Sequence, residues 1–366
     1  MGKINVLMLN RNFSITGGVP RVLLTYARHC DMNRVHLHLA SFKPFAPSMA
    51  DAVKQTGTAI HTIGDRGYLR PALALRKILA KEQIDVVVAT SLKAYLVAKI
   101  ASRAKCRVVY WIHGIALVTE NRLKSALFRW AARGDTLIFI SEEVRKAHLY
   151  PGHRGRAETV PNGVEDFLGA SPLYGQNERA SLGIPDSALV IGYTGAFIAW
   201  KQHRTLIDAF SRLAKDDPHI HLMLIGTGDL FESTKSYAQQ AAGSARIHFL
   251  GPRADARQVL GMMNIYAHPS DGEGFGLALV EAMLARLAVV VSNAGALPDM
   301  IDDGDTGLVF RVRDADDLAA KIDMLARDPE LRQRLGEQAR QAALSRFGAV
   351  RFAAHITAIL ESEDRT

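Results

Sequence analysis

Two doubly wound α/β domains are what this sequence predicts, and three observations carry the prediction. Short strands rich in Val, Ile and Leu alternate with helical patterns through both halves of the chain, the mark of parallel sheets covered on both faces. At 366 residues the chain is too long for one ordinary core. Turns with chemistry-bearing residues follow the strands at 17–18, 113–114, 195, 226, 271–276 and 293–297, where sheets of this kind open onto a ligand crevice.

In the first half, apolar runs predict strands over 4–9, 36–40, 85–89, 107–112, 136–140 and 158–160. Amphipathic spacing predicts helices over 19–29, 71–81, 92–104 and 122–132. In the last of these, Leu123, Ala126, Leu127 and Trp130 share helical spacing, so Phe128 and Trp130 are expected in the core. In the second half, strands are predicted over 189–193, 221–225, 247–249, 265–267, 288–292 and 308–311, with helices over 205–214, 230–241, 255–262 and from 316 onward. The domain partition is therefore 1–165, a polar linker over 166–187, 188–345, and a last helix in 346–366.

Composition is that of a soluble globular protein, 48% hydrophobic and 22% charged, and no run is long and apolar enough for a membrane span. The first ten residues read as a strand and not as a signal peptide. Cys30 and Cys106 are far apart, which offers neither a disulfide framework nor metal-like spacing and points to a reducing cytosol. Twelve Lys/Arg between Lys99 and Arg156 face only four acids, which places the whole net charge of +8 in residues 99–156. Such a stretch suits a peripheral anionic membrane surface or a lipid-linked phosphate, unless its members lie on separate solvated faces. Nucleic acid is not expected, because interleaved exposed aromatics are lacking.

The most informative stretch is 269–283. A glycine-punctuated loop holds Glu273, then opens a helix whose one charge between Leu277 and Ala285 is Glu281. A helix start offers backbone N–H groups with no intrahelical partner, and Gly272, Gly274 and Gly276 let an anion approach them. Glu281 could face solvent, but its helical neighbours Leu277, Ala278, Leu284 and Ala285 are apolar, so a ligand-facing carboxylate is the stronger reading. Phosphate at the amides with carboxylates beside it matches the needs of a nucleotide sugar.

This pair of glutamates, eight positions apart with Gly-Phe-Gly between them, resembles the E-x7-E signature of retaining glycosyltransferase family 4. The resemblance continues in order from about residue 4 to about residue 310. It takes in Gly17-Gly18-Val19-Pro20-Arg21, His113-Gly114, Val160-Pro161-Asn162-Gly163-Val164, Gly195 with Lys201, Gly226 and Gly228, Gly251 and Gly307. It implies the GT-B architecture, two Rossmann-like domains facing a central cleft, with acceptor in the first and donor in the second. The last helix is then expected to cross back to the first domain. It also implies residue roles: Glu281 for the ribose hydroxyls, Glu273 for the transferred sugar, Lys201 for the diphosphate and His113 near the reaction centre. Gly17, Gly18, Gly195, Gly226, Arg253, Gly274, Phe275, Gly276 and Leu277 complete the expected donor site.

The chain departs from the family pattern in places. Ala196 stands where an arginine is usual, Gln202 and Arg286 where glycine is, Ala288 where proline is, Ala296 for another glycine, and Asp299 for glutamate. Asp216-Asp217 and Asp302-Asp303 sit at a helix end and a turn, so no metal and no cofactor beyond a UDP- or GDP-type donor is expected. The sequence thus predicts a cytoplasmic, metal-independent, retaining hexosyltransferase for a glycan or lipid-linked acceptor in surface polysaccharide or lipopolysaccharide synthesis. The alternatives are a nucleotide-sugar epimerase of related build and a catalytically silent sugar-nucleotide binder. A nicotinamide dehydrogenase is disfavoured, because no G-x-G-x-x-G follows the first strand.

Overall fold

Runs such as Asn5-Val6-Leu7-Met8-Leu9 cannot sit with one face in water, and parallel strands between helices are how such runs are buried. The computed structural model describes residues 2–14, 17–102, 106–115, 122–168 and 175–362, the side chains of 122–124 and 176–177 excepted. It divides into two units, residues 1–165 with 348–366, and residues 166–347.

The first unit runs β1 (Ile4–Asn10), α1 (Gly18–His29), β2 (Val35–Ser41), α2 (Pro47–Lys54), β3 (Ala59–Thr62), α3 (Leu69–Lys81), β4 (Val86–Ala89), α4 (Leu92–Ala101), β5 (Arg107–Ile112), α5 (Arg122–Ala131), β6 (Thr136–Phe139), α6 (Glu142–His148) and β7 (Ala157–Thr159). Its sheet is parallel in the order β3-β2-β1-β4-β5-β6-β7. The order reverses between β1 and β4.

The second unit runs α7 (Gln176–Ala180), β8 (Leu189–Thr194), α8 (His203–Leu213), β9 (Ile220–Ile225), α9 (Phe231–Ala238), β10 (Ile247–Gly251), α10 (Ala256–Val259), β11 (Ile265–His268), α11 (Leu277–Leu284), β12 (Ala288–Ser292), β13 (Leu308–Phe310), α12 (Ala315–Arg327) and α13 (Pro329–Phe347). Its sheet is parallel in the order β10-β9-β8-β11-β12-β13, which reverses between β8 and β11. The chain then enters α14 (Ala349–Glu361), which packs on α1 in the first unit. There the Tyr26 hydroxyl meets Thr357 Oγ1 at 3.0 Å, and the Arg107 guanidinium donates to carbonyls at the end of α14.

Three expectations need correction. The span 166–187 is not a free linker where the structure describes it. Phe167 and Ile184 are buried, and the buried Arg179 donates to the Met262 carbonyl at 3.0 Å and to Asn264 Oδ1 at 2.9 Å, so this segment is part of the second unit. Residues 169–174 of it lie outside the described residues. Phe128 is buried, but Trp130 is 80% exposed. Two positions apart on a helix are separated by about 200°, so both rings could not face one core.

The basic stretch does not form a single free face either. Lys99 pairs with Asp135 at 2.8 Å, Arg145 with Glu142 at 3.7 Å and Arg156 with Glu158 at 2.9 Å, and Arg107 is spent on α14. Arg103, Lys105 and Glu120, and the side chains of Arg122 and Lys124, lie outside the described residues. No helix among the described residues is long and apolar enough to cross a membrane.

Candidate functional site

In an open parallel sheet the point where strand order reverses leaves a crevice outside the carboxyl ends of its two neighbouring strands. In the second unit those strands are β8 and β11, and their following loops carry Lys201 and Glu273. Lys201 Nζ lies 2.6 Å from Glu273 Oε2, and His268 Nε2 lies 3.4 Å from the same oxygen. Glu273 and His268 are buried and Lys201 is nearly so. Burial alone pushes the Glu273 carboxyl up, but the His268 hydrogen bond and the Lys201 charge outweigh it, and Glu273 falls to about 2. Burial pushes His268 down, so at neutral pH it is an uncharged ring donating from Nε2. Its Nδ1 is buried without a hydrogen-bond partner among the described residues.

The two loops are tied together. The Asp271 N–H donates to the Trp200 carbonyl at 2.9 Å. The Asp271 carboxylate accepts from Gln202 Nε2 and from Arg313 Nε, each at 2.8 Å. Gln202 has a φ of +53°, which accounts for the glycine usual there. A side chain in this conformation costs roughly 1–2 kcal/mol, and its hydrogen bond to Asp271 offsets part of that cost. Lys201 also lies over the Trp200 ring, 4.5 Å from its centroid. Gly295 has a φ of +60° and packs so closely that a Cβ would strike the Glu273 carbonyl, while Ala296 N–H donates to that carbonyl at 2.8 Å. Gly226, with a φ of +136°, similarly lets its turn pass the Gly195 carbonyl.

Glu281 is buried on α11, and the structure supplies a cation for it that the sequence reading did not name. Arg257 of α10 donates from Nε to Oε1 at 2.8 Å and lies 5.2 Å from the Phe167 ring. At the start of α11, Gly276 is the N-cap and its N–H points to Met300 Sδ at 3.4 Å. Among other expected donor residues, the Phe275 ring is buried edge-on against Phe347, so its side chain packs the unit and only its backbone lies in the loop. Gly274 and Leu277 sit on the same loop and first turn. Arg253 is turned to Asp255, with Nε to Oδ1 at 2.7 Å.

The first unit has a different character. At its own reversal point, Thr90 Oγ1 donates to Asn10 Oδ1 at 2.7 Å, a neutral contact between the ends of β4 and β1. Gly17 is the N-cap of α1, and Gly18 is already helical, which shortens the expected glycine loop. His113 follows β5, its ring 4.8 Å from that of Trp111. Burial pushes His113 down to about 3, and its Nε2 has no partner among the described residues. A half-buried imidazole kept neutral offers one donor and one acceptor nitrogen, and Nε2 is open to a hydrogen bond. Sequence reading missed His268 and Arg257, and placed Gly295 only within the turn at 293–297. The position of His268 at the last residue of a strand beside the loop of Glu273 was the available signal.

The family model for glycosyl transferases group 1 matches residues 175–342, and that for Glycosyltransferase Family 4 matches residues 16–166. The chain belongs to glycosyltransferase family 4. EpsD of Bacillus subtilis, whose glycosyltransferase name is itself provisional, is 27% identical over 76% of this chain and 76% of its own. The lipopolysaccharide core biosynthesis mannosyltransferase LpcC of Rhizobium leguminosarum is 29% identical over 66% of this chain and 69% of its own. Among solved structures, Anabaena HepE in complex with UDP and glucose superposes with a TM-score of 0.85 at 23% identity, covering 98% of this chain and 100% of that one. This likeness shows the fold, the GT-B architecture, and the family 4 resemblance read from the sequence is borne out. The family 4 chain is a glycosyltransferase.

Proposed function

We propose that this glycosyltransferase takes a nucleoside-diphosphate sugar, holds its diphosphate at Lys201 and the amides around Gly276, and transfers the sugar with retention to a glycan or lipid-linked hydroxyl. The observation that carries the reading is the Lys201–Glu273–His268 cluster at the strand-order reversal of the second unit. When the bond from the anomeric carbon to the phosphate oxygen breaks, negative charge grows on the departing diphosphate, and a preorganised ammonium and helix-start dipoles stabilise it. Glu273, held ionised, accepts hydrogen bonds from the sugar's hydroxyls, and Glu281 does the same for the ribose. The acceptor proton leaves with the diphosphate oxygen on the same face. Among the described residues the other carboxylates near Glu273 are engaged, Glu281 with Arg257 and Asp271 with Gln202 and Arg313, so the reading assigns no nucleophile for a double displacement.

Because charge is met by Lys201 and amides, the reaction is proposed to need no metal. Asp217 and Asp303, which could suggest one, use their carboxylates on the backbone N–H groups of His219 and Val309, each at 2.8 Å. The UDP named for HepE makes a uridine donor the first to test, and the role named for LpcC favours a lipopolysaccharide or related surface glycan. The test is a panel of UDP- and GDP-sugars with glycan and lipid-linked acceptors, read as nucleoside diphosphate released. Acceptor-dependent release that survives EDTA supports the proposal. Binding without release points to a silent binder, and loss on chelation restored by magnesium overturns the metal-free reading.

A further inference from the structure

The three helices α3, α4 and α5 pack side by side in the first unit and leave apolar side chains in water. Leu69 and Leu73 of α3 are 70% and 57% exposed, and Trp130 of α5 is exposed on almost its whole surface. Tyr68, Ile100 and Leu127 are also exposed, and with them Leu96, Lys99 and Ala131 line a groove of about 700 Å³. Helical spacing gathers these groups: Leu69 and Leu73 are four apart, and Leu127, Trp130 and Ala131 follow at three and four. Water-soluble surfaces rarely keep so many large apolar side chains together without a partner.

The rim selects the partner. Arg66, Arg70 and Lys77 flank the apolar stripe of α3, and Arg129 and Arg133 flank Trp130, all exposed. The acids nearest in sequence are already neutralised, Asp65 by Lys93 at 2.6 Å and Asp135 by Lys99 at 2.8 Å. A second copy docking by a twofold axis would set this basic rim against itself. Single-stranded nucleic acid would need stacked aromatic faces, and the floor here is mostly aliphatic. A tryptophan ringed by leucines and cations is what the boundary between lipid headgroups and acyl chains accepts.

We propose that the face formed by α3, α4 and α5 docks on an anionic lipid bilayer, with Trp130, Leu69 and Leu73 entering the acyl boundary and the basic rim meeting headgroup phosphates. This replaces a purely electrostatic attachment through residues 99–156, several of whose charges are internally paired, by an apolar anchor with a cationic rim. The surface does not depend on the transfer reading, since vesicle binding is measured without turnover.

The probe is sedimentation with vesicles of phosphatidylcholine, alone or with a minority of phosphatidylglycerol, together with quenching of tryptophan fluorescence by brominated acyl chains. Phosphatidylglycerol is expected to raise binding about tenfold at low salt, and salt should weaken it. Bromolipid should quench the wild-type chain and much less the Trp130→Phe variant, which still binds. Trp130→Glu, and separately Leu69→Glu with Leu73→Glu, should lower binding about tenfold with unchanged melting, because these side chains lie on the surface. No binding to either vesicle, binding that Trp130→Glu does not weaken, or binding without quenching at Trp130 each overturns the proposal. So does a concentration-dependent dimer that Trp130→Glu disrupts, which would assign the face to a second copy.

Discussion

The two units use one strand order, reversing between β1 and β4 in the first and between β8 and β11 in the second, yet they place different chemistry at that point. In the second, a half-buried ammonium, a carboxylate held near pKa 2 and a neutral imidazole meet on one oxygen. In the first, the reversal point carries the neutral Asn10–Thr90 contact, and the histidine that follows β5 is half-buried and uncharged. The same architecture therefore presents a charged cluster at one reversal point and a neutral contact at the other. Topology gives the place, and the loop residues give the chemistry.

The strongest way to break this contrast is Lys201→Ala. If the ammonium meets the leaving diphosphate, the variant should lose about 2–4 kcal/mol of transition-state stabilisation, the scale of one preorganised electrostatic partner. The loss should be towards the upper end, since Ala196 brings no second cation from the same loop. Steady-state kinetics with unchanged kcat/KM would remove Lys201 from the mechanism.

Glu273→Gln should sharpen the contrast next. The carboxylate neutralises Lys201 before donor binds, so its loss frees the ammonium for phosphate while removing the acceptor for the sugar's hydroxyls. Turnover should fall by about 1–3 kcal/mol, the cost of one charged hydrogen-bond partner, with nucleoside diphosphate affinity kept or raised. A fall in diphosphate affinity equal to the fall in turnover would mean that the two glutamates exchange roles. Arg257→Ala should cost less, about 1 kcal/mol in nucleotide affinity, by leaving the buried Glu281 with a weaker anchor. Unaltered affinity in that variant would make the pair purely structural.

Acid should weaken both units, through buried histidines first and through paired carboxylates at lower pH. His38 and His113 in the first unit, and His203 and His221 in the second, are pushed down to about 3–4, chiefly by burial. Their native forms refuse protons that the unfolded chain takes below its ordinary value near 6.5. Stability is thus full above pH 6.5 and declines as pH falls towards 4. Glu273, depressed to about 2, contributes stability above about 4.5 that is lost only below it. Thermal melting should soften already between pH 6.5 and 5, and a flat melting temperature there would contradict the buried neutral histidines.

Much of this was legible in the sequence because buried strands are written as uninterrupted apolar runs. The strand over 107–112 falls where the runs put it, and the motif loops follow the carboxyl ends of strands in both units. The strand β3 was not legible, because Ala-Ile-His-Thr at a sheet edge is short, half-buried and polar at its end. Nor was α6, a seven-residue helix whose signal is the Ser141 cap accepting from Val144 N–H. At the site, Glu273, Glu281 and Lys201 stood out as charges in glycine-rich or apolar surroundings. Their partners His268 and Arg257 come from other elements, and no local pattern announces a pairing across a fold. The exposed Trp130 was hidden by the same limit, since a hydrophobic residue at plausible spacing looks like core until its angle to Phe128 is counted.

The proposed contrast, diphosphate held at Lys201 in the second unit and His113 of the first unit serving only turnover, is tested most directly by calorimetric titration of UDP and GDP into wild type, Lys201→Ala and His113→Ala. One nucleotide should bind the wild type, about tenfold or more weakly to Lys201→Ala, and within about twofold of wild type to His113→Ala, whose turnover alone should fall. Equal weakening by both substitutions, or none by Lys201→Ala, would contradict the account.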